Sequence, residues 1–259
     1  MTPQAPGARA MILAAGRGER MRPLTDSTPK PLLGVRGKPL MQWPLEALAR
    51  GGFTRVVVNT AWLGDQIPAC FGAAWAPQGG PALALAYSHE GRDFGGALET
   101  AGGIVRALPL LDDVFWVAAG DVFAPQFAFT QGDVERFVAS GMLAHLWLVP
   151  NPAHNLKGDF GLSEGGLALD TSAPDAPGTA DARRYTFSTI GLYRAALFAP
   201  PWCPIARGNP EGVPAALAPL LRAAMREGRV SAALYEGEWV DVGTPQRLAA
   251  LNGAIGAAP

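Results

Sequence analysis

The chain has few cysteines and few charged residues, and it has no long hydrophobic run. Its two cysteines, Cys70 and Cys203, are too few for a disulfide framework or a cysteine-rich zinc site. No stretch approaches the roughly 18 uninterrupted apolar residues of a membrane span. Residues 1–9 lack the basic start and the apolar run of a signal peptide. These absences predict a cytoplasmic protein with reduced thiols and no membrane partner.

The scarce charges are also nearly balanced. The 21 basic and 22 acidic residues leave a formal net charge of −1, and charged residues make up 17% of the chain. A protein that binds nucleic acid by neutralising many phosphates needs an excess of Lys and Arg, so we expect no nucleic-acid partner. Hydrophobic residues make up 49% of the 259 residues, which is enough for a large buried core.

The pattern of apolar runs predicts the fold class. Short runs of strand length occur at 10–15, 55–59, 83–87, 114–118, 143–149, 187–193 and 239–242. Helical patterns occur at 40–50, 63–71, 98–108, 211–227 and 245–251. Because strands and helices alternate in the first half of the chain, we predict an α/β fold. Its sheet is expected to be doubly wound and mostly parallel, with helices on both faces.

The same patterns indicate a single domain. Residues 10–259 form that domain, and residues 1–9 are expected to be a flexible leader. Residues 170–184 are polar, punctuated by proline and without periodicity, and a strand pattern resumes directly after them. We therefore interpret 170–184 as an exposed loop of the domain rather than as a linker. The sequence leaves the oligomeric state open.

A glycine-containing loop follows the first predicted strand. It reads AAGRGERMRPLT at residues 14–25 and is followed by TPKPLL at 28–33. The backbone N–H groups of such a loop suit a polyphosphate. Four cations lie in or beside it, namely Arg17, Arg20, Arg22 and Lys30. Clustered cations next to a glycine turn favour phosphoryl or nucleotidyl transfer, because the charge of that reaction develops on oxygen atoms.

Two common phosphate-binding loops do not fit this segment. The dinucleotide pattern G-x-G-x-x-G fails because Met21 stands where the third glycine is required. The P-loop pattern fails because no Gly-Lys-Ser/Thr follows. By itself, the pair Gly16 and Gly18 is equally compatible with a tight turn in which Arg17 and Arg20 are solvated.

A longer set of motifs resembles the sugar-1-phosphate nucleotidylyltransferase family. The loop is similar to the family's signature over residues 13–25 and 29–32, as LAAGxGxRMRPLT and PKPL. Further similar stretches follow in order: NTAWLG at 59–64, LETAGGI at 98–104, GDV at 120–122, NP at 151–152, GDF at 158–160, TFS at 186–188 and WVDVGT at 239–244. The chain most resembles the short form of the family without a C-terminal β-helix, the N-acetylmuramate α-1-phosphate uridylyltransferases.

This resemblance implies a fold and a reaction. The fold would be the Rossmann-like nucleotidyltransferase fold without a C-terminal β-helix. The reaction would convert N-acetylmuramic acid 1-phosphate and UTP to UDP-N-acetylmuramic acid and pyrophosphate with Mg²⁺, as in the recycling of peptidoglycan sugars. The partners would then be two small molecules, a nucleoside triphosphate and a sugar 1-phosphate.

Two aspartates at the ends of apolar runs are the candidate metal ligands. Asp121 follows one run, and Asp241 lies inside WVDVG at 239–243. A carboxylate at the end of a buried strand is costly unless it is paired or bound to a cation. Taken singly, Asp121 suits a helix N-cap and Asp241 suits a turn. Two such carboxylates in an enzyme that handles a triphosphate favour Mg²⁺, and the resemblance implies the same pair.

The remaining site residues follow from the chemistry and the resemblance. A sugar phosphate is largely ionised at neutral pH and needs no general base, so no histidine is given a catalytic role. Arg22 would steady the departing β- and γ-phosphates, and Lys30 the α-phosphate. The expected nucleotide-binding residues are Leu13, Ala14, Ala15, Gly16, Gly18, Glu19, Gly102, Gly103 and Ala119. The expected sugar-binding residues are Asn59, Glu90, Asn151, Asp159 and Ser188. Gly102 and Gly103 are equally compatible with close helix–sheet packing.

Other functions remain open from the sequence. The same chemistry with GTP and mannose 1-phosphate, or with dTTP or UTP and glucose 1-phosphate, differs only in base and sugar contacts. A non-catalytic nucleotide-binding module on this fold is expected to have lost a metal carboxylate or the phosphate lysine. Asp121, Asp241 and Lys30 are all present, which favours an enzyme.

Overall fold

The computed structural model describes residues 9–172 and 183–253. The helices are α1 (Gln42–Arg50), α2 (Gln66–Phe71), α3 (Glu90–Phe94), α4 (Glu99–Ala107), α5 (Gln131–Ser140), α6 (Leu217–Arg226) and α7 (Pro245–Gly253). The first strands are β1 (Ala10–Ala14), β2 (Gly34–Val35), β3 (Lys38–Pro39), β4 (Arg55–Thr60), β5 (Ala74–Trp75), β6 (Leu83–His89) and β7 (Val114–Ala119). The others are β8 (Val122–Phe123), β9 (Ala144–Val149), β10 (Phe160–Leu162), β11 (Ala168–Leu169), β12 (Arg184–Arg194), β13 (Val230–Leu234) and β14 (Val240–Asp241).

Ten of these strands form one mixed sheet. At its centre, β7, β1, β4 and β6 lie side by side and run parallel. The long strand β12 runs antiparallel to β7 and pairs also with β9 and β10, while β13 runs parallel to β9. The predicted α/β fold with a mostly parallel central sheet is confirmed. No β-helix follows the sheet within residues 183–253.

Helices cover both faces of the central strands, and the side chains of β1 show how. Met11 lies in one core cluster with Ile104 of α4 and Leu221 of α6. The next residue, Ile12, lies in a second cluster with Leu45 of α1 and Phe137 of α5. Successive side chains of a strand point to opposite faces, so an apolar residue at every position of β1 is what a sheet covered on both sides requires. The doubly wound arrangement is therefore confirmed.

A third, smaller core cluster lies beneath the glycine loop. It joins Met21 of the loop to Phe123 of β8, Val242 after β14, and Leu248 of α7. Trp43 packs edge-on against Phe123 with ring centroids 4.8 Å apart. Because these residues come from distant parts of the sequence, this cluster fixes the glycine loop relative to β8 and β14.

The structure differs from the predicted elements at several places. The helix predicted over 211–227 begins only at Leu217. The residues before it dock onto α4 instead, where the Ala215 carbonyl accepts the backbone N–H groups of Ala101 at 2.8 Å and Gly102 at 3.1 Å. Pro214 also lacks an N–H group for a helical hydrogen bond. The strand predicted over 239–242 is reduced to the two residues of β14.

Helix α5 was not predicted, although the sequence carries a signal for its start. Thr130 is the N-cap, and its hydroxyl oxygen accepts the backbone N–H of Asp133 at 3.0 Å. Thr-x-x-Asp before an apolar periodicity is a form of the capping box. The signal is weak here because Phe137 is the only fully buried residue of the helix.

Three further predictions concern a membrane span, the N-terminal leader and the loop at 170–184. None of the helices in the described ranges has the length and apolar character needed to cross a lipid bilayer. The predicted leader lies outside the described residues except for Arg9, and most of the predicted loop 170–184 also lies outside them. Both therefore stay predictions.

Candidate active site

A cleft of about 640 Å³ opens at the carboxyl ends of the parallel strands. Ligands of open α/β sheets bind at this edge. The cleft brings together seven of the predicted site residues, from β1, the glycine loop, β4, α3, β7 and the second residue after β7: Leu13, Ala15, Gly16, Asn59, Glu90, Ala119 and Asp121. Residues from four segments far apart in sequence therefore share one cavity.

The glycine loop is held in a defined conformation. Gly18 lies in the left-handed region with φ of 66°. Its carbonyl oxygen accepts the backbone N–H of Met21 at 2.9 Å and the hydroxyl of Thr25 at 2.8 Å. Met21 and Thr25 are fully buried, so the loop is anchored at two points and its backbone is preorganised.

The arginines of this loop are placed differently from the prediction. Arg17 lines the cleft, lies 3.5 Å above the Trp62 ring and donates to the Thr25 carbonyl at 3.2 Å. Arg22 is 59% exposed, pairs with Asp26 at 2.7 Å and does not line the cleft. The catalytic role of Arg22 stays a prediction. The sequence leaves Arg17 open as a phosphate-binding cation or a solvated loop charge, and its contacts with Trp62 and Thr25 show that it is not simply solvated.

Asp121 lines the cleft, and Lys30 and Asp241 lie next to Asp121. The Lys30 ammonium is 11% exposed and pairs with the Asp121 carboxylate. β8 and β14 are antiparallel neighbours with Val122 opposite Asp241. The backbone N–H of Val242 donates to the Asp121 carbonyl at 2.9 Å. The two aspartates are thus neighbours across a short antiparallel pair, although 120 positions of sequence separate them.

The surroundings of Asp121 and Asp241 fit a divalent cation that is completed by substrate. One Asp241 oxygen contacts Arg247 and also His154 Nε2, the latter at 2.9 Å. Within the described ranges no group of three or more His, Cys, Asp or Glu side chains could hold a metal. Mg²⁺ binds through one or two carboxylates together with phosphate oxygens and waters. A pair of partly exposed carboxylates beside the glycine loop has the carboxylate part of that donor set.

Asn59 and Glu90 line the cleft but are engaged with the protein. The exposed fraction is 3% for Asn59 and 0% for Glu90. The Asn59 carboxamide accepts the backbone N–H of Ala14 at 2.8 Å and donates to the Glu90 carboxylate at 2.7 Å. Burial raises the pKa of Glu90, while the N–H groups of Leu98 and Asn59 act in the opposite direction. A role as sugar ligands was predicted for both residues and stays untested by these contacts.

Gly102 and Gly103 lie in α4 and do not line the cleft. A Cβ on Gly102 would lie 2.6 Å from the Val213 carbonyl oxygen. A Cβ on Gly103 would lie 2.5 Å from a Glu90 carboxylate oxygen. Close packing therefore accounts for both glycines, and their contact with the base stays a prediction. Glu99 and Thr100, at the start of the same helix, do line the cleft.

The other predicted sugar ligands organise a loop beside β12. Asn151 donates to the Arg184 carbonyl at 3.1 Å and accepts the Thr186 hydroxyl at 3.0 Å. Asp159 accepts the backbone N–H of Phe187 at 2.8 Å. Ser188 is fully buried, and its hydroxyl oxygen accepts the N–H of Ile190 at 3.1 Å. These side chains hold β12 where its pairing with β9 is irregular, so their placement is structural as well as close to the site.

One side of the cleft is an apolar wall that sequence reasoning missed. It consists of Phe160 of β10, Phe187 of β12, and Leu217 and Leu221 of α6. In the sequence these residues look like ordinary core positions, because each one lies in an apolar run. The cleft therefore has a cation, Arg17, at the glycine loop and an apolar side formed by β10, β12 and α6.

Comparison with known proteins agrees with this geometry. The model of the nucleotidyl transferase family matches residues 9–162. An N-acetylmuramate α-1-phosphate uridylyltransferase from Neisseria meningitidis is 45% identical over 96% of this chain and 99% of its own length. One from Caulobacter vibrioides is 32% identical over 92% of both chains. A structure from Bacillus anthracis assigned as a glucose-1-phosphate thymidylyltransferase superposes with a TM-score of 0.70 at 19% identity, over 97% of both chains.

Proposed function

The chain belongs to the nucleotidyl transferase family, and from that membership we propose that it is an N-acetylmuramate α-1-phosphate uridylyltransferase. It would make UDP-N-acetylmuramic acid and pyrophosphate from the sugar 1-phosphate and UTP. The observation that carries the proposal is the cleft in which the glycine loop, Lys30, Asp121 and the apolar wall meet. The two relatives of that name align with nearly the whole chain.

The proposed reaction is one in-line displacement. A phosphate oxygen of the sugar 1-phosphate attacks the α-phosphorus of UTP, and the bond from that phosphorus to the bridging oxygen breaks. Pyrophosphate leaves with the bonding electrons. The attacking phosphate is already ionised near neutral pH, so the chain needs to position charges rather than to remove a proton.

Three basic side chains in or near the cleft are candidates for stabilising charge in that displacement. The Lys30 ammonium is nearly buried and is held by Asp121, so it is oriented before substrate arrives and can stabilise charge on the α-phosphate. Arg17 is restrained by Trp62 and by the Thr25 carbonyl and faces the same cavity. Arg22 would reach the departing phosphates only after leaving Asp26, an exposed pair worth little in stability.

Asp121 and Asp241 are the residues that would hold the metal ion, which we propose to be Mg²⁺. Held by these two carboxylates, such an ion would neutralise the negative charge that develops on the phosphate oxygens. Lys30 contacts the Asp121 carboxylate, and Arg247 contacts the Asp241 carboxylate. These cations keep the acidic pair from repelling itself and hold its side chains in place.

The apolar wall favours N-acetylmuramic acid over glucose or mannose as the sugar. Its acetamido and lactyl ether groups each carry a methyl group, which the two hexoses lack. Phe187 is partly exposed, and it lines the cleft together with the largely buried Phe160, Leu217 and Leu221. We propose that the methyl groups pack on this side of the cleft. A hexose would bury hydroxyl groups against the same surface at a cost. We propose that the reaction takes place in the cytoplasm, because Cys70 and Cys203 are unpaired thiols.

Pyrophosphate release tests the proposal. The purified protein with Mg²⁺ is given each of ATP, GTP, UTP and dTTP with N-acetylmuramic acid, mannose or glucose 1-phosphate. We expect release with UTP and N-acetylmuramic acid 1-phosphate, in proportion to the UDP-sugar formed. Release only with GTP and mannose 1-phosphate, or only with glucose 1-phosphate, would contradict the substrate assignment. UTP binding without release from any pair would favour a non-catalytic module.

A further inference from the structure

Asn59 and Glu90 form a buried hydrogen-bonded chain between two walls of the cleft. Asn59 Oδ1 accepts the backbone N–H of Ala14 at 2.8 Å, and Asn59 Nδ2 donates to Glu90 Oε1 at 2.7 Å. Glu90 Oε2 accepts the backbone N–H of Leu98 at 2.8 Å. The chain therefore runs without a break from the end of β1 to the N-cap of α4.

The donors and acceptors of this chain have only one workable order. The backbone N–H groups at its two ends, from Ala14 and Leu98, can only donate. Between them stand one amide, which has one oxygen and one NH₂ group, and one carboxylate, which only accepts when ionised. Turning the Asn59 amide over would place its NH₂ group against the N–H of Ala14. Only the observed arrangement satisfies every group, so the two side chains act as one unit.

The packing around Asn59 and Glu90 leaves no room for the two side chains to rearrange. A Cβ on Gly103 would lie 2.5 Å from Glu90 Oε1 and 3.0 Å from Asn59 Nδ2. The backbone of α4 thus presses directly on the two side chains. Such close approach is possible only at a residue without a side chain, which gives Gly103 a reason independent of any base contact.

The two ends of this hydrogen-bonded chain contact the segments between which a nucleotide would lie. Ala14 directly precedes Ala15 and Gly16, which line the cleft. Leu98 directly precedes Glu99 and Thr100, which line it from the side of α4. The hydrogen-bonded pair Asn59 and Glu90 therefore connects the glycine loop to the start of α4, and we call this pair the strut.

We propose that Glu90, acting through Asn59, is a positioning residue that sets the width of the nucleotide subsite, and that neither side chain is a ligand of the sugar. This inference rests on the proposed uridylyl transfer. It replaces the predicted sugar contact with an effect on the nucleotide, and it leaves the sugar subsite to the apolar wall and the loop beside β12.

Two single variants test the strut. Glu90→Gln keeps the shape but sets an NH₂ group against either Leu98 or Asn59, and Asn59→Asp sets two carboxylates against each other. An unsatisfied buried donor or two facing charges disrupt such a contact strongly. We expect the KM for UTP to rise about 10-fold or more in each variant, with the KM for the sugar phosphate changed by no more than about twofold.

The double variant Asn59→Asp with Glu90→Gln exchanges the two functional groups. The new carboxylate accepts from Ala14 and from the new amide, and the amide oxygen accepts from Leu98. Every hydrogen bond is restored in the same volume and with the same total charge. We expect the KM for UTP to return to within about threefold of the parent value, and the melting temperature to recover with it.

The outcomes separate the possible roles of the two residues. Recovery of the KM for UTP in the double variant supports the strut. A rise in the KM for the sugar phosphate that the double variant does not restore would show direct sugar contact and overturn the proposal. Recovery of melting temperature alone, with the KM for UTP unchanged in all three variants, would show a purely structural network and also overturn it.

Failure of the strut and failure of the proposed function give different results. If the parent protein turns over another nucleotide and sugar, the same three variants are measured with that nucleotide. If it binds a nucleoside triphosphate without turnover, the Kd for that nucleotide is measured by calorimetry instead of the KM. The double variant is then expected to restore the Kd of the parent protein. A parent protein that binds no nucleoside triphosphate would overturn both proposals, whereas loss of the exchange effect alone overturns only the strut.

Discussion

Replacing Gly18 with alanine should destabilise the glycine loop. Gly18 has φ of 66°, and an added Cβ would lie 3.0 Å from Thr25 Cγ2 and 3.4 Å from the Cβ of Lys30. The left-handed conformation costs an alanine about 1–2 kcal/mol. The contact with the buried Thr25 side chain adds a cost of about 1 kcal/mol or more through overpacking. We expect the free energy of unfolding to fall by about 3 kcal/mol.

The melting temperature reports this loss directly. For a chain of this size, about 1 kcal/mol corresponds to roughly 2–4 °C, so the Gly18→Ala variant should melt about 6–12 °C below the parent protein. Far-UV circular dichroism during heating measures the shift. Pyrophosphate release at 25 °C should also fall, because the added group crowds Thr25, whose hydroxyl donates to the Gly18 carbonyl and helps to hold the loop.

Gly16→Ala is the matched control in the same loop. No atom lies within 4 Å of a Cβ added to Gly16, and its φ is not in the left-handed region. Its melting temperature should therefore match the parent, although Gly16 lines the cleft and the KM for UTP is free to rise. A Gly18→Ala variant as stable as the parent, or a Gly16→Ala variant as unstable as Gly18→Ala, would refute this account of the loop.

Three further predictions address the charges. Asp121→Asn should lower kcat with Mg²⁺ on the order of 100-fold while the fold stays intact by far-UV circular dichroism, and an unaffected rate would refute its role as a metal ligand. Lys30→Met should lower kcat on the order of 100-fold; a pure rise in the KM for the sugar would place Lys30 on a different phosphate. Burial lowers the pKa of His145 from its ordinary 6.5, so the unfolded chain protonates first as pH falls. The free energy of unfolding from urea titrations should therefore decrease as pH falls from 6.5 towards the lowered pKa, and His145→Gln should remove that dependence.

The parts of the fold that the sequence predicts well are those set by local pattern. β1 and β7 are continuous apolar runs of strand length, and the structure buries every residue of β7. The turn after β1 is marked by Gly16 and Gly18, and the left-handed φ of Gly18 explains why glycine stands there. Strand order, by contrast, depends on which apolar runs pair with each other in the folded sheet. The antiparallel strand β12 lies between β7 and β9, and no local sequence pattern predicts that position.

The contacts of a partly exposed arginine side chain cannot be predicted from local sequence pattern. Arg17 and Arg22 look alike in the sequence, five positions apart and flanking the same loop. Both arginines contact Asp26, Arg22 at 2.7 Å and Arg17 at 3.5 Å. The difference between them arises because Arg17 also lies over the Trp62 ring and donates to the Thr25 carbonyl. A long flexible side chain adopts the contact that its neighbours offer, and those neighbours are known only once the chain has folded.

The sequence shows which polar groups reach a cleft, but it does not show whether their hydrogen bonds are already used. Asn59 and Glu90 have the chemistry of sugar ligands and the position of sugar ligands, since both line the cavity. Yet Asn59 already accepts the N–H of Ala14, Glu90 already accepts the N–H of Leu98, and Asn59 donates to Glu90. These three hydrogen bonds are 2.7 to 2.8 Å long. A carboxylate that already accepts from two buried donors gains little from a hydroxyl and loses much if one donor is displaced. A count of donors and acceptors therefore decides between ligand and scaffold, and for this pair it favours the scaffold.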